Sequence, residues 1–494
     1  MDLTDHRQEL DKIDRELTGL FLRRMEICGE IGDWKRAEGR PILDAKREQE
    51  VLTALSALCP PYRQGELRAL YGEIFALSRE SQRRRTTSLR CGLLGEKLGH
   101  SYSPQIHGML AGYRYELFER APADVASFVR EGDWDGLNVT IPYKKTVLPL
   151  CDDLSETARE IGSVNTLIRR PDGGVYGDNT DAYGFELLLR RLGVDVAGKK
   201  ALVLGSGGAS AAVCWVLRKH GASPVIVVSR SGEDSYADLD RHADARLIVN
   251  ATPVGMYPRN GESLIDLRRF PACEGVLELI YDPARTALLL QAERLHIPHA
   301  NGLFMLVAQA LRSAEQFVSH AMDEGQIERI EGVLSRQTEN IVLVGMPGCG
   351  KSEIARRLGE ILQRPVLDAD EEIGKAAGMS IPEIFASEGE EGFRRRETEV
   401  LRELGKRSGM VLSTGGGCVT REENYDLLHQ NGRIVWRQRA VEKLARSGRP
   451  ISLSRDLYEI YAEREPLYRR FADHIIEETD TVEEAVEKIL EVLG

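Results

Sequence analysis

The residues with the clearest chemistry lie at 345–352 and read Gly-Met-Pro-Gly-Cys-Gly-Lys-Ser. This run fits the phosphate-binding loop Gly-x-x-x-x-Gly-Lys-[Ser/Thr], and it stands between an apolar run and a helical pattern, as that loop requires. Backbone N–H groups around Gly348 and Gly350 can converge on phosphate oxygens. Lys351 adds a positive charge beside the phosphates, and the Ser352 hydroxyl can bind Mg²⁺. The loop therefore predicts a nucleotide-binding site.

Two carboxylates, Asp368 and Asp370, follow the next apolar residues. A carboxylate at a strand end beside the phosphate loop can hold Mg²⁺ through water, and the second can act as a base or orient a substrate hydroxyl. Arginine suits bidentate binding of carboxylates and the charge on a transferring phosphoryl group. Arginines, a glutamate and glycines follow in a defined order: Arg394, Glu397, Gly415, Gly416, Gly417, Arg446, Arg449 and Arg464. The set predicts a phosphoryl-transfer site.

This order of motifs resembles shikimate kinase over about 338–494. The resemblance implies an α/β P-loop fold with a parallel sheet, ATP and Mg²⁺ at Lys351, Ser352 and Asp368, and Arg449 as the lid arginine. It implies shikimate binding at Asp370, Arg394, Gly415, Gly416, Gly417 and Arg464. The lid between Arg446 and Arg449 is shorter than in the family pattern. A gluconate-type kinase is the alternative, but the Asp-x-Asp, Phe-Arg and triple-glycine set favours shikimate.

A second glycine turn, Gly205-Ser-Gly-Gly-Ala-Ser210, follows a strand pattern at 200–204 and opens a helix. This context favours a dinucleotide fold with the pyrophosphate at the helix N-terminus. The next strand pattern ends at residues 229–231, where an acidic residue would favour NAD. An arginine between two serines instead suits a 2′-phosphate and predicts NADP. The predicted cofactor-binding residues are Gly205, Gly207, Gly208, Ala209, Ser229, Arg230 and Ser231.

Hydroxyl and amide side chains are frequent between residues 100 and 181, and they suit a polyhydroxylated ring. One lysine and one aspartate, Lys144 and Asp181, supply the proton chemistry that accompanies hydride transfer to a ketone. The ordered set resembles shikimate dehydrogenase over about 89–320. The resemblance makes Lys144 and Asp181 the catalytic pair, and it implies contacts to substrate or nicotinamide from Ser101, Ser103, Thr140, Asn165, Tyr281, Gly302 and Gln309.

One departure from that pattern concerns the dinucleotide half. Too few residues separate Ser231 from Asn250 for both a helix and a strand. We therefore expect this half, at about 190–285, to be trimmed at its edge. A quinate-preferring relative is the alternative, and the Ser101-x-Ser103 pair favours shikimate.

Residues 1–85 carry a different pattern, in which Arg24, Cys28, Ile31 and Lys35 share one helix face. Several cations with few general bases suit a dicarboxylate that rearranges without proton transfer. The set resembles the all-helical chorismate mutase family. The resemblance implies ligand contacts from Arg7, Arg24, Lys35, Asp44, Arg47, Glu48, Ser78 and Gln82, with Lys35 and Gln82 as catalytic residues.

In that family two chains intertwine and the first arginine reaches the partner's site, so we expect a homodimer through the N-terminal helices. The alternative is a dimerisation or ligand-sensing module that binds chorismate or prephenate without useful turnover.

The elements that must position these residues fall into three segments. Residues 1–85 are helical with interruptions at Arg40-Pro41 and Pro60-Pro61, which predicts three helices, and short strands alternate with helices from Leu89 onward. We predict a multidomain chain: an all-α three-helix domain at 1–88, a two-lobed α/β dehydrogenase with a Rossmann half at 89–325, and an α/β P-loop kinase at 338–494.

Composition limits the partners of this chain. The 494 residues allow about three domains. A net charge of −12 argues against nucleic acid or an anionic membrane as a partner, and no apolar run reaches the roughly 18 residues of a membrane span. Eight scattered cysteines without a Cys-x-x-Cys pair fit a reducing cytosol, so we expect a cytoplasmic protein. Its expected substrates are chorismate, 3-dehydroshikimate and shikimate.

Overall fold

The structure is a computed structural model that describes residues 3–37, 43–84, 89–99, 101–170, 172–444 and 456–494. The chain forms two compact units. One comprises Met1–Thr180 and Ala310–Met322, and the other comprises Asp181–Gln309 and Asp323–Gly494. Within the described ranges, no helix combines the length and the apolar character needed to cross a bilayer.

The first unit begins with the three predicted helices, which are α1 (Leu3–Ala37), α2 (Ala45–Ser56) and α3 (Gln64–Arg84). Helix α1 packs on α3, and Cys28 and Phe75 are buried. The N-terminal half of α1 instead leaves apolar side chains exposed, among them Leu17 and Leu20. The expected all-α segment is therefore confirmed, and one apolar face of its first helix is left uncovered by the residues that the structure describes.

A mixed six-stranded sheet follows in the same unit. Its elements are β1 (Arg90–Gly95), α4 (Ser103–Leu110), β2 (Arg114–Glu119), α5 (Val125–Glu131), β3 (Gly136–Val139), β4 (Asp153–Leu154), α6 (Glu156–Ile161), β5 (Thr166–Arg169) and β6 (Val175–Asp178). The strand order is β2-β1-β3-β5-β6-β4. Strand β5 runs antiparallel to both β3 and β6, and the other pairs are parallel. Polar residues after β1 and β3 therefore share one edge.

The second unit begins with a parallel five-stranded sheet. Its elements are α7 (Asp181–Leu192), β7 (Ala201–Leu204), α8 (Gly208–Lys219), β8 (Val225–Val228), β9 (Leu247–Asn250), β10 (Gly275–Glu278), α9 (Ala287–Arg294), β11 (His299–Ala300) and α10 (Leu303–Phe317), whose last residues belong to the first unit. The strand order is β11-β10-β9-β7-β8. Only a 3₁₀ turn, Leu239–His242, lies between β8 and β9. The expected trimming of this half is confirmed.

A second parallel five-stranded sheet completes this unit. Its elements are α11 (Gly325–Thr338), β12 (Asn340–Val344), α12 (Lys351–Leu362), β13 (Val366–Asp368), α13 (Ala369–Ala377), α14 (Ile381–Leu404), β14 (Val411–Ser413), α15 (Glu423–His429), β15 (Gly432–Arg437), α16 (Leu457–Phe471), β16 (His474–Ile476) and α17 (Val482–Leu493). The order is β13-β14-β12-β15-β16. Strand β12 is central and wholly buried, as a continuous apolar run in a parallel sheet requires.

Candidate active sites

The phosphate-binding loop connects β12 to α12, as its sequence predicts. Gly345, Gly348 and Gly350 adopt φ values of 145°, 85° and 94°, which lie in the left-handed region that favours glycine. The Lys351 ammonium is buried within the loop and donates to the Gly345 carbonyl at 2.8 Å and the Met346 carbonyl at 3.1 Å. The loop thus holds a cation at the N-terminus of a helix, where anions are stabilised.

Two predicted Mg²⁺-binding residues meet beside the loop. The Ser352 hydroxyl donates to the Asp368 carboxylate at 2.8 Å and lies 3.2 Å from the Ser413 hydroxyl. Asp368 also accepts from the backbone N–H of Asp370 at 3.0 Å, which caps α13. Strands β12, β14 and β13 are parallel neighbours, so their carboxyl ends bring these groups to one edge.

A cavity of about 550 Å³ joins the loop to the predicted acceptor residues. Its lining includes Lys351, Ser352, Asp368, Asp370, Arg394, Gly415, Gly416, Gly417, Arg439 and Arg464. Sequence reasoning did not identify Arg439, because an arginine shortly after a strand has no distinctive signal. The predicted lid arginine, Arg449, lies outside the described residues.

Arg394 forms a buried pair with Glu397, a member of the predicted phosphoryl-transfer set to which no specific role was assigned. The Arg394 guanidinium donates to the Glu397 carboxylate at 2.7 Å, and both side chains are buried. Burial raises the pKa of the Glu397 carboxyl, and the guanidinium opposes this rise without cancelling it. Helix α14 is broken at Gly389, where φ is 70°, and the helix that resumes there carries both residues. Their spacing of one helical turn was the available signal.

The glycines after β14 leave room for the Arg394 and Glu397 side chains to pack against the backbone. A Cβ on Gly417 would lie 1.9 Å from an Arg394 guanidinium nitrogen. A Cβ on Gly415 would lie 2.7 Å from a Glu397 oxygen and 2.8 Å from an Asp370 oxygen. Side chains at these positions would fill the cavity floor, which explains the need for glycine.

Three arginines of the cavity retain donor capacity. The Nε atoms of Arg394, Arg439 and Arg464 are buried without a hydrogen-bond partner among the described residues. Arg464 also donates to the Gly416 carbonyl at 3.1 Å, and the Tyr468 hydroxyl donates to the same oxygen. Buried guanidinium groups with unmet donors suit an acidic ligand.

The glycine turn after β7 has the geometry of a dinucleotide site. Gly205 has a φ of 105°, and a Cβ there would lie 2.7 Å from the Thr252 methyl group. Gly207 caps α8, with open space where a Cβ would stand. Ser229 is buried, and its N–H donates to the Asp234 carbonyl at 3.0 Å, which closes the following loop. Arg230 is exposed on that loop.

In the six-stranded sheet, a buried polar network fixes Asn165. Its side-chain N–H donates to the Thr180 hydroxyl at 3.0 Å, and its side-chain oxygen accepts from the Thr180 backbone N–H at 2.7 Å. The Thr166 hydroxyl donates to the same oxygen at 3.0 Å. Such a satisfied network holds an amide in one orientation.

Other predicted residues follow β1 and β3 in that unit. The Ser103 N–H donates to the Ser101 hydroxyl at 3.2 Å. Thr140 follows β3, and its N–H donates to the Leu94 carbonyl at 3.0 Å. Lys144 lies half-buried in the next turn. These side chains therefore collect at one edge of the sheet.

The remaining residues of the predicted dehydrogenase site belong to the other unit. Asp181 is buried at the start of α7, and burial raises the pKa of Tyr281. The Gly302 N–H donates to the Ile280 carbonyl at 2.9 Å, and a Cβ on Gly302 would lie 2.1 Å from the Leu279 carbonyl oxygen. Gln309 lies on α10 and donates from its side chain to a backbone carbonyl within that helix.

In the three-helix segment, Arg24 joins α1 to α3. Its guanidinium donates to the buried Ser78 hydroxyl, lies 3.7 Å from the Cys28 sulfur, and stands 5.9 Å from the centre of the Phe75 ring. Two predicted residues therefore meet directly. Lys35 lies half-buried farther along the same helix, Arg7 is exposed near its start, and the Gln82 side chain lies outside the described residues.

Residues of α2 have other partners. Glu48 pairs with Arg79 at 2.6 Å, and no sequence signal pointed to that arginine. Asp44 caps α2 by accepting from the Arg47 N–H at 3.0 Å, and the Arg47 side chain pairs with Glu50 at 3.2 Å. Arg47 and Asp44 are exposed, so this chain alone does not enclose them.

Comparison with known proteins relates each segment to a family. Family models match "Chorismate mutase type II" at residues 6–83, "Shikimate dehydrogenase substrate binding domain" at 93–167 and "Shikimate kinase" at 347–494. The NADP(+) shikimate dehydrogenase of Clostridium perfringens strain SM101 is 34% identical over 261 residues, which span 48% of this chain and 96% of that protein. The chain belongs to the shikimate dehydrogenase family. The corresponding enzyme of Oleidesulfovibrio alaskensis is 40% identical over 249 residues, spanning 46% and 87% of the two chains.

Similar solved structures include a chorismate mutase/shikimate 5-dehydrogenase fusion from Clostridium acetobutylicum, with 37% identity, a TM-score of 0.47 and coverage of 50% of this chain and 97% of that one. Shikimate dehydrogenase 1 from Peptoclostridium difficile has 33% identity, a TM-score of 0.47 and the same coverages.

The three matches make this shikimate dehydrogenase part of a fusion with chorismate mutase and shikimate kinase, in that order from the N-terminus. The enzyme classes predicted from the sequence are confirmed, as are the cofactors NADP(H), ATP and Mg²⁺. The residues fit these groups. Open space at Gly207 and the exposed Arg230 suit NADP(H), and the Ser352 hydroxyl and Asp368 carboxylate would supply oxygen ligands of the kind that Mg²⁺ takes.

Proposed function

We propose that the three domains convert chorismate to prephenate, reduce 3-dehydroshikimate to shikimate, and phosphorylate the shikimate 3-hydroxyl, using the residues assigned from the sequence. The observation that carries this proposal is the single cavity that contains both the phosphate-binding loop and the Arg394–Arg464 pair. A phosphate donor site and a carboxylate-binding site in one cavity match the phosphorylation of a small hydroxy acid.

In the kinase domain, Arg394 and Arg464 bind the shikimate carboxylate. Asp370 holds the 3-hydroxyl and accepts its proton as the oxygen attacks phosphorus. Lys351 and Arg449 stabilise the charge of the transferring group. ATP supplies the phosphoryl group, and Ser352 with Asp368 would hold Mg²⁺. The unmet Nε donors of both substrate-binding arginines support their role.

In the dehydrogenase domain, Lys144 and Asp181 move the proton that accompanies reduction of the ketone. Ser101, Ser103, Thr140, Asn165 and Gln309 orient the ring, and NADPH supplies the hydride. Arg230 would hold the 2′-phosphate. The fixed amide of Asn165 supports an orienting role, because a side chain already held by buried hydrogen bonds needs little reordering on binding.

In the mutase domain, Arg24, Lys35 and a partner's Arg7 hold the two carboxylates in the reactive conformation, with Arg47 beside them. Gln82 and Glu48 contact the oxygen of the breaking bond. The reaction needs preorganised charge and no proton transfer. The bond between Arg24 and buried Ser78 supports this arrangement, since it fixes the guanidinium.

The homodimer that this site requires is formed through α1. Leu10, Ile13, Leu17 and Leu20 recur at helical spacing and are 49–70% exposed. A continuous apolar stripe of this kind needs a partner, and a second copy of α1 offers a matching stripe. Arg7 lies on the same half of the helix, so dimerisation brings it to the partner's site.

The domain boundaries that we propose are 1–88, 89–325 and 338–494. The family matches at 6–83, 93–167 and 347–494 fall inside these ranges. We also propose that the enzyme acts in the cytoplasm, which the eight unpaired cysteines support.

These assignments are tested by two variants of the full chain, Lys144→Ala and Lys351→Ala, each assayed for all three reactions. Lys144→Ala should abolish reduction and spare phosphorylation, and Lys351→Ala should do the reverse. Lys145→Ala is the matched control, because this neighbouring lysine is exposed and has no assigned role. If either assigned change removed both activities with the fold intact, the proposal of separate sites would fail. Quinate and gluconate in the same assays test the two alternative substrates.

A further inference from the structure

A turn of the kinase domain contacts a loop of the dinucleotide half, and both lie in one compact unit. The turn comprises residues 429–431, between α15 and β15, and the loop comprises residues 281–285, after β10. The Ala284 N–H donates to the Asn431 side-chain oxygen at 2.8 Å, and the Arg285 N–H donates to the Gln430 carbonyl at 2.8 Å. The loop is thus hydrogen-bonded to residues far away in the sequence.

Asn431 forms hydrogen bonds with a segment of the dehydrogenase and with a segment of the kinase. It is buried, and its backbone carbonyl accepts from the N–H of Asn340 at 2.8 Å. Asn340 begins β12, the strand that leads into the phosphate-binding loop. The side-chain oxygen holds the dehydrogenase loop while the backbone of the same residue holds the central kinase strand.

The dehydrogenase loop in turn contacts residues assigned to the cofactor. The Ala284 carbonyl accepts from the Asn301 side chain at 2.9 Å, and Asn301 precedes Gly302. Tyr281 begins the loop, and the Asp282 carbonyl accepts from the Tyr257 N–H at 3.0 Å. Asn431 is therefore separated from Gly302 by one residue of the loop and one asparagine.

Further contacts surround the hydrogen bond between Asn431 and Ala284. The Arg285 guanidinium donates to the His429 carbonyl at 2.9 Å, and the Asn260 side chain donates to the Gln430 side-chain oxygen at 2.8 Å. At the periphery, the partly exposed Arg294 pairs with Asp426, which lies outside the turn at 429–431. The peripheral pair provides a control for effects of the interface as a whole.

We infer that Asn431 is a positioning residue for the dehydrogenase, so that the kinase domain forms part of the scaffold of the other enzyme's cofactor site. The inference rests on the proposed roles of Tyr281 and Gly302. Without the Asn431 acceptor, the Ala284 N–H loses its partner and the loop gains freedom. Binding of NADP(H) must then order the loop, which weakens affinity and leaves the chemistry itself intact.

The test compares Asn431→Ala, Asn431→Asp and the control Arg294→Ala in the full chain. The readouts are the dissociation constant of NADP⁺ by calorimetry, kcat and KM for both the dehydrogenase and the kinase, and the thermal midpoint. Asn431→Ala should raise the NADP⁺ dissociation constant and the dehydrogenase KM roughly fivefold, as for one lost hydrogen bond, with little change in kcat. Asn431→Asp keeps an acceptor for Ala284 but loses the side-chain N–H donors to the Gly405 and Lys406 carbonyls, so it should restore the NADP⁺ dissociation constant even where the thermal midpoint stays lowered. Arg294→Ala should leave them unchanged.

Unchanged NADP⁺ affinity in Asn431→Ala would overturn the inference. Equal losses in both enzymes, tracking the thermal midpoint and not rescued by Asn431→Asp, would also overturn it in favour of a general structural role. Wild-type protein is titrated first, because a chain that bound no NADP⁺ would contradict the proposed dehydrogenase function itself.

Discussion

The Arg394 guanidinium and the Glu397 carboxylate lie 2.7 Å apart and are buried together beneath the kinase cavity. Removing Glu397 leaves the buried Arg394 guanidinium with one remaining carboxylate partner, the half-exposed Glu390 at 3.3 Å. Glu397→Ala should therefore lower the free energy of unfolding by about 3–5 kcal/mol and raise the KM for shikimate, because Arg394 loses its orientation. Denaturant unfolding and kinase kinetics check this. Glu399→Ala, on an exposed position of the same helix, should change neither, and equal behaviour of the two variants would contradict the role of Glu397.

Gly417→Ala should disable the kinase selectively. The added Cβ would stand 1.9 Å from the Arg394 guanidinium, so the arginine must move. A displacement of about 1 Å at a substrate-binding group can lower kcat/KM on the order of 100-fold. Gly374→Ala, within helix α13, is the control, since its Cβ would stand 3.4 Å from the Met379 carbonyl oxygen, which is ordinary contact. Comparable activity of the two variants would argue against the close approach at Gly417.

We expect His429 to contribute to the stability of the fold in a pH-dependent way. Burial lowers its pKa, but the Glu293 carboxylate, 3.1 Å from Nε2, and the Asp473 carboxylate, 3.4 Å from Nδ1, outweigh burial and raise the net pKa above its ordinary value. A raised folded-state pKa stabilises the fold below the unfolded pKa of about 6.5, and the effect is lost as pH rises through the folded value. The difference in thermal midpoint between wild type and His429→Gln should thus be largest near pH 6 and shrink toward pH 9. A difference that grew with pH would contradict the charged bridge.

Leu17→Glu should weaken the dimer. Leu17 is 59% exposed on α1, and covering one leucine is worth about 1.5–3 kcal/mol, or roughly tenfold or more in the dimer dissociation constant. Sedimentation velocity measures this constant, and chorismate turnover should fall with the dimer fraction. Leu58→Glu is the control, because Leu58 is 83% exposed and lies outside α1. A monomeric wild type would contradict the proposed interface.

Elements with strong local patterns were predictable from the sequence. Strand β7 (Ala201–Leu204) lies within the strand pattern predicted at 200–204, because a continuous apolar run next to a glycine turn leaves few alternatives. The phosphate-binding loop lies between strand and helix as its motif requires. The absence of a helix between β8 and β9 was predictable from the small number of residues between Ser231 and Asn250.

Long-range partners were not predictable. The pairing of Glu48 with Arg79 and the contact of Asn431 with Ala284 depend on how separate segments pack, and no local pattern records them. Helix α14 breaks at Gly389 because glycine can adopt the required backbone conformation. A glycine in the sequence does not by itself predict such a break. The roles of all the assigned site residues, Arg449 and Gln82 among them, stay predictions.

Three activities in one chain are tested most directly by initial rates of the purified full-length protein with chorismate, with 3-dehydroshikimate and NADPH, and with shikimate, ATP and Mg²⁺. All three substrates should be consumed by the same preparation, and NADH should replace NADPH poorly. Failure to consume any one of them would contradict the three-enzyme account. If chorismate bound without turnover, the N-terminal helices would be a ligand-binding module and the chain would have only two enzymes.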